Sequence, residues 1–305
     1  MADIKFTQQV VVITGAGGGL GRTYALEIAR RGGKVVVNDF GGEVDGSGGG
    51  KGGGTAASVV QEIESAGGEA IADTHGVHTS EGGAALISAA LERYGRLDAL
   101  IHNAGIMRNQ SFSKMTAEEW RSVLSVHLDG AFYTAHPAIL AMRAAGRGRI
   151  VFTTSTSGLF GNFTQANYSA AKLGLVGLMN TLAIEGDRYG IKTNCVSPTA
   201  RTRMTEDVDE SILPGIGAPP EHVTPATVYL ASEACRFSGA IIQAGGGFFG
   251  RVGVAHNNGV CIDGGPANVE DIANNADAIF ETESMRLPTE DEGYLSFIQR
   301  RLAEP

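Results

Sequence analysis

The sequence predicts a doubly wound α/β fold: one parallel sheet of about seven strands with helices on both faces. Two features carry that prediction. Short β-branched runs alternate along the chain with longer segments of helical period, the pattern of repeated β–α–β units whose strands lie parallel and buried. The first of those runs leads straight into a glycine turn and then a helix, an order that suits the ligand-binding end of such a sheet. At 305 residues the chain can bury a sizeable core in one domain of this kind, and no internal repeat competes with it.

Taken in order, Val10 to Thr14 is the first strand, followed by Gly15-Ala-Gly-Gly-Gly-Leu-Gly21 and a helical pattern to Arg30. Glycine lets backbone approach a pyrophosphate, and the N-terminus of the helix offers unpaired N–H groups to it. Gly15, Gly19, Leu20 and Gly21 are therefore the predicted cofactor contacts of this turn. The next strand, Lys34 to Asp39, ends in an acid eighteen residues after Gly21. Such an acid binds adenosine ribose hydroxyls and repels a 2′-phosphate, so Asp39 points to NAD over NADP. Phe40 to Gly54 is so rich in glycine that it reads as an irregular excursion beside the adenosine end.

Thr55 to Ala66 reads as a helix and Glu69 to Asp73 as the third strand. His75 and His78 follow without a third ligand, so they are read as loop residues near the adenine, and no metal site is predicted. A helix from Ala84 to Tyr94 leads to the strand Leu97 to His102, and Asn103-Ala104-Gly105 then turns the chain where small residues pass close to a ligand. Thr116-Ala-Glu-Glu119 is a capping box opening a long helix toward Met142, which Pro137 is expected to bend or interrupt. His127, on the inner side of that helix, is read as a satisfied core group.

Arg149 to Thr154 is the fifth strand, a helix runs from about Thr164 to Tyr189, and Ile191 to Val196 is the sixth strand, stopped by Ser197-Pro198. Thr199 to Gly217 lacks a period and reads as a mobile substrate lid. A helix from Pro220 to Ala231 and a last strand, Ala240 to Ala244, complete the sheet. Beyond Asn257 the pattern weakens, with one more helix over Val269 to Phe280. This divides the chain into a domain over 1–256 and an extension over 257–305 that packs on the domain or on a partner subunit.

Totals exclude several classes of function. Lysine plus arginine number 24 against 33 acids, a net charge of −9 with no basic cluster, so no nucleic acid or anionic membrane surface is expected as a partner. Forty-four glycines with 43% hydrophobic and 19% charged residues describe a globular chain with many tight turns, not a disordered one. Three scattered cysteines fit neither a disulfide framework nor a zinc site and point to a reducing compartment. With no apolar run near eighteen residues, no signal core and no targeting ending, the expected location is the cytoplasm.

The chemistry is expected at Ser155, Tyr168 and Lys172. Tyr168 and Lys172 are four apart and share one helix face. A lysine cation beside a phenol favours phenolate, bringing the tyrosine toward the range of a general acid or base. Ser155 falls where a buried strand ends, which is where open α/β sheets bind ligands.

These elements together resemble the short-chain dehydrogenase/reductase family over roughly residues 5 to 250. Thr14-Gly15 with Gly19 and Gly21 matches its cofactor loop, Asn103-Ala104-Gly105 its NAG turn, and Ser155, Tyr168 and Lys172 its catalytic serine, tyrosine and lysine. A narrower likeness, carried by Val37-Asn-Asp-Phe-Gly-Gly42, Val126-His-Leu128 and Gly161 to Leu175, is to the (3R)-hydroxyacyl-CoA dehydrogenase domain of peroxisomal multifunctional enzyme type 2, a group also counted among 17β-hydroxysteroid dehydrogenases. His127 stands where the wider family has an asparagine that helps hold a water of the proton relay; the narrower group has histidine there, so the resemblance implies an assisting role for His127 outside the catalytic set. His75 stands where an aspartate usually meets the adenine. The resemblance implies a Rossmann-like, NAD-dependent oxidoreductase that interconverts a secondary alcohol and a ketone, pairing as a homodimer or homotetramer. A 3-hydroxyacyl-CoA is the first expected substrate and a steroid or steroid-CoA alcohol the second. Phe112, Leu159, Phe160, Phe163, Met204, Leu213, Phe248 and Phe249 are candidates to line an apolar cleft, and Arg108, Arg143, Arg201 and Arg203 to meet phosphates. A non-catalytic NAD-sensing regulator on the same fold is the remote alternative, and the presence of all three catalytic residue types weighs against it.

Overall fold

A computed structural model describes residues 3–49, 53–205, 218–262, 265–287 and 294–303. The chain divides into two compact units, Met1–Arg251 and Val252–Pro305. The first unit runs β1 Val10–Thr14, α1 Gly19–Arg30, β2 Lys34–Asn38, α2 Gly53–Ser65, β3 Glu69–Asp73, α3 Ser80–Tyr94, β4 Ala99–His102 and α4 Ala117–Leu124. A π-helical turn at Ser125–Asp129 leads on into α5 Gly130–Ala145. Then come β5 Gly148–Thr153, α6 Thr156–Phe160, α7 Ala166–Asp187, β6 Ile191–Pro198, α8 Thr224–Ala231, β7 Ile241–Gly245 and β8 Phe248–Val252.

The strands form one sheet in the order β3-β2-β1-β4-β5-β6-β7-β8. The six pairings from β3 through β7 are parallel. β1 and β4 are buried along their whole length, as strands covered on both faces must be. Alternate side chains divide between the two faces. Val11, Ile13, Val35, Val37, Ile101, Val151 and Val196 join Tyr24 and Ile28 of α1 and Ile63 of α2 in one core. Val12, Val36, Leu100, Ile150 and Phe152 are buried on the opposite side. The strand order reverses between β1 and β4, so the loops leaving these two strands diverge and open a crevice beyond their carboxyl ends.

Three features depart from expectation. The sheet has eight strands, because Gly246 and Gly247, at φ 58° and 87°, form a two-residue turn that returns the chain as β8. Only an antiparallel partner can be reached by so short a connection, and positive φ at both positions is what such a hairpin turn requires. The capping box of Thr116 and Glu119 forms as expected, but Pro137 does not break the helix it opens. That helix changes character earlier, at Ser125–Asp129, where the Gly130 N–H bonds back five residues to Ser125 O. Pro137 lacks the N–H that would bond Tyr133 O. α3 packs there so closely that a Cβ on Gly83 would stand 2.6 Å from that carbonyl oxygen. Finally, α7 begins at Ala166, and the short α6 precedes it.

Within the second unit, the expected helix is two short ones, α9 Val269–Asn274 and α10 Ala276–Ile279, and a further helix, α11 Tyr294–Ala303, follows. His256 and Arg286 exchange backbone hydrogen bonds, and the His256 ring lies 4.2 Å from that of Phe297. No helix among the described residues is long and apolar enough to cross a membrane.

Candidate active site

The crevice is a cleft of about 710 Å³. Gly15, Gly19, Leu20, Asp39, Asn103, Ala104, Gly105, Ser155, Tyr168 and Lys172 all line it. Gly21 does not. It lies beneath the turn, where a Cβ would come within 2.3 Å of Gly15 O, so its role is to let α1 start directly under the loop. Gly15 and Gly19 adopt φ of 62° and 50°, a conformation that costs glycine little. A Cβ on Gly15 would stand 2.8 Å from Ala104 Cα, so the exits of β1 and β4 are in contact there.

Thr14 ties these exits together. Its Oγ1 accepts from the backbone N–H groups of Asn103 and Ala104, both at 3.0 Å, while the Asn103 side chain donates to Thr14 O and Gly15 O at 3.2 Å. Asp39 anchors the other end of the cleft. Its carboxylate accepts from Gly17 N–H at 2.9 Å and from Gly41 N–H at 2.8 Å. His78 lines the cleft beside Phe40, their rings edge to face at 5.1 Å, whereas His75 turns away to Asp73.

The glycine-rich segment reaches further than the adenosine end. Met107 N–H donates to Val44 O, Arg108 Nε donates to Asp45 O, and a Cβ on Gly46 would meet Ile106. Residues 40 to 44 and 46 thus form one long wall of the cleft. Glycine runs carry no periodicity, so nothing in the sequence marked this course.

At the opposite end, Ser155 is the N-cap of α6. Its Oγ accepts from Ser157 N–H at 3.2 Å, which fixes the hydroxyl against Tyr168. Lys172 is 3% exposed, donates from Nζ to Thr153 O at 2.6 Å, and stands 5.5 Å from the centre of the Tyr168 ring. Burial penalises the charged form of both. It takes Lys172 down to about 7 and pushes Tyr168 upward, and the Ser155 hydrogen bond draws the phenol back. Desolvation, and not the expected lowering by the lysine, therefore sets the direction for the tyrosine, and the serine is its one counterweight.

His127 is not the satisfied core group the sequence suggested. Its ring, carried on the π-helical turn, meets Tyr168 edge to face at 5.1 Å, and Nε2 is 2.8 Å from Ile106 O. Nδ1 is buried without a partner among the described residues. A Cβ on Gly105 would lie 2.2 Å from its Cε1. The last glycine of the turn is thus required by this ring as well as by any ligand. Desolvation, and then the nearby Lys172 charge, hold His127 well below the usual histidine range, so it is neutral. His102 behind it is also buried and brought down to about 3, with Nδ1 3.2 Å from Thr134 Oγ1 and 3.4 Å from Thr14 Oγ1.

Among the described residues, Met204 is the one apolar candidate that lines the cleft. Phe112, Phe160 and Phe163 are exposed, Leu159 lies off the cleft, and Phe248 and Phe249 belong to the edge strand β8. Leu213 and the remainder of the expected lid, 206–217, lie outside the described residues. Asn109, Asn162, Gln165, Met107 and Val126 line the cleft as well. Arg108 and Arg203 line the cleft, Arg108 also meeting Glu118, whereas Arg143 bonds Tyr189 and Arg201 is exposed elsewhere. No group of three or more histidine, cysteine or acidic side chains suited to a metal is found among the described residues.

Residues 9–212 match the short chain dehydrogenase family. A short-chain type dehydrogenase/reductase of Mycobacterium tuberculosis is 47% identical over 87% of this chain and 91% of its own length. The peroxisomal hydratase-dehydrogenase-epimerase of Saccharomyces cerevisiae is 50% identical over 82% of this chain, yet the match spans 27% of that longer protein. Among solved structures, full-length peroxisomal multifunctional enzyme type 2 from Drosophila melanogaster superposes with a TM-score of 0.80 at 33% identity, over 99% of this chain and 50% of that one. The glycine cradle, in which added Cβ atoms would strike backbone, suits the diphosphate of a nicotinamide dinucleotide. This chain belongs to the short-chain dehydrogenase family, oxidoreductases that act on CH–OH groups of small molecules with a nicotinamide cofactor.

Proposed function

We propose that this chain oxidises a (3R)-hydroxyacyl-CoA to the 3-oxoacyl-CoA with NAD, and carries out the reverse reduction. The observation that carries the reading is the meeting, in one cleft, of the glycine cradle, an acid at the ribose end and the Ser155–Tyr168–Lys172 group. A bound nicotinamide supplies the hydride acceptor. Tyr168 Oη takes the proton of the substrate hydroxyl, and Ser155 Oγ, held by Ser157 N–H, hydrogen-bonds the same oxygen as it becomes a carbonyl. Lys172 Nζ, fixed by Thr153 O, holds a ribose hydroxyl of the cofactor and supplies charge beneath the phenol. Asp39 favours the free 2′-hydroxyl of NAD over the phosphate of NADP. The acyl-CoA is chosen over a steroid because relatives at 50% and 33% identity are named as hydratase-dehydrogenase-epimerase and multifunctional enzyme type 2. The cleft-lining Arg108 and Arg203, cations of the kind a CoA phosphate needs, support the same choice.

For assembly we favour a homodimer or homotetramer. On α5, Phe132, His136 and Leu140 are spaced four apart, and Phe132 and Leu140 are exposed. On α7, Leu173 and Ile184 are exposed as well. Apolar stripes of this kind on long helices suit a second copy. The cysteines are unpaired, in keeping with a reducing compartment such as the cytoplasm.

The test is NADH formation across a panel of 3-hydroxyacyl-CoA and steroid alcohols, with Tyr168→Phe as control. Tyr168→Phe should lose turnover and still quench or enhance NADH fluorescence on binding. Retained turnover would remove Tyr168 from the mechanism.

A further inference from the structure

Gln165, the residue before α7 and three before Tyr168, is 8% exposed and lines the cleft. Its amide orientation follows from a short relay. Phe163 N–H donates to Asn162 Oδ1 at 2.9 Å, which turns Asn162 Nδ2 toward Gln165 Oε1 at 3.1 Å. The oxygen of Gln165 is thereby spent on Asn162. Its Nε2 is left without an acceptor among the described residues, and it is not one of the side-chain atoms sealed from solvent, so it is an accessible donor on a residue that lines the cleft. A donor so placed, at the N-cap of the helix that carries the base and three residues before it, is suited to a substrate atom close to the reacting carbon.

We propose that Gln165 is a specificity residue which donates to a carbonyl oxygen carried beside the reacting carbon, so that the site selects 3-hydroxyacyl and 3-oxoacyl substrates. This inference rests on the proposed oxidoreductase function and narrows its substrate class. A 3-hydroxyacyl thioester places its carbonyl two bonds from the carbinol carbon, within reach of a second donor. A steroid ring alcohol surrounds that carbon with hydrocarbon, and would bury the amide unpaired. A site built around a hydrogen-bond donor rejects the analogue that lacks the acceptor far more strongly than an apolar pocket rejects a changed shape.

The test compares wild type with Gln165→Leu, which keeps the bulk and removes the donor, on two matched pairs. One pair is a 3-hydroxyacyl-CoA and the 2-alkanol of equal chain length with NAD. The other is an acetoacetate ester and 2-pentanone with NADH. Loss of the donor should cut kcat/KM about tenfold to a hundredfold on the carbonyl-bearing member of each pair, and leave the plain alcohol or ketone unchanged. Because both members are read on one protein preparation, a folding defect lowers them together and does not imitate the result. If wild type ignores the CoA substrate while the ester pair still separates at Gln165, the acyl-CoA reading falls and the role of Gln165 stands. Equal loss on both members, no loss on either, or failure of wild type to act on both the CoA substrate and the ester overturns the proposal.

Discussion

Replacing Gly105 by alanine puts a methyl group where the His127 ring already is. The added Cβ would stand 2.2 Å from Cε1 and 3.0 Å from both ring nitrogens, well inside contact distance. The ring has little room to yield, since Nε2 is held at Ile106 and one face meets Tyr168 at 5.1 Å. Overpacking of this kind costs about 1–3 kcal/mol, and a displacement of Tyr168 by 1 Å lowers turnover by up to about a hundredfold. His127→Ala alone opens a cavity and is expected to cost about 2–4 kcal/mol. In the double variant the new methyl occupies part of that cavity. Its destabilisation should therefore be smaller than the sum of the single ones by about 1 kcal/mol or more. Thermal or urea unfolding of the four proteins measures the cycle, 1 kcal/mol corresponding to about 2–4 °C in Tm for a domain of this size. Additivity within about 0.5 kcal/mol would refute the claim that the glycine is there for the histidine.

The ionisation of Tyr168 fixes the sign of the pH dependence: burial raises it and Ser155 lowers it, so oxidation, which needs the phenolate, should climb with pH into the alkaline range, while reduction, which needs the phenol, should fall there. In Ser155→Ala the alkaline limb of oxidation should move higher by up to about one pH unit, the worth of one hydrogen bond; a limb that stays put or moves toward acid contradicts the assignment. Asp39→Ala removes the acceptor of Gly17 and Gly41 N–H together with the negative charge. Its kcat/KM with NAD should fall about tenfold to a hundredfold while that with NADP does not fall in step, as paired steady-state assays would show. An unchanged cofactor ratio would leave Asp39 with a purely architectural role.

Most of the sheet was legible because each of its central strands is a buried, β-branched run, and burial on both faces leaves few other readings for Val10 to Thr14 or Ile191 to Val196. The candidate site residues were legible for related reasons, since Ser155 and the Asn103 turn follow directly from strand ends and Tyr168 stands one helical turn from Lys172. What escaped the sequence depends on contacts between distant segments. Gly105 looked like a ligand-facing small residue, and only His127, twenty-two positions on, supplies its second constraint. The sheet was expected to end at Ala244 because Gly246 and Gly247 carry no propensity, and the hairpin they close is set by the returning strand. Pro137 looked like a helix breaker because its cost was counted along one helix, without the close approach of Gly83 on another.

The π-helical turn at Ser125–Asp129 makes the reading frame of the following helix part of how the cleft is built. Such a turn holds one residue more than an α-helical ladder would. Removing any single residue between 125 and 129 would let the backbone close into uninterrupted α-helix, a gain in local regularity. It would also rotate Gly130–Ala145 by about 100° and draw it back by about 1.5 Å. Thr134 would then leave His102, and a deletion before position 127 would also turn the His127 ring away from Gly105 and Tyr168. A side-chain substitution in this segment leaves the frame in place, whereas a change of length shifts the whole helix that follows, so the stretch behaves as a ruler whose unit is a whole residue.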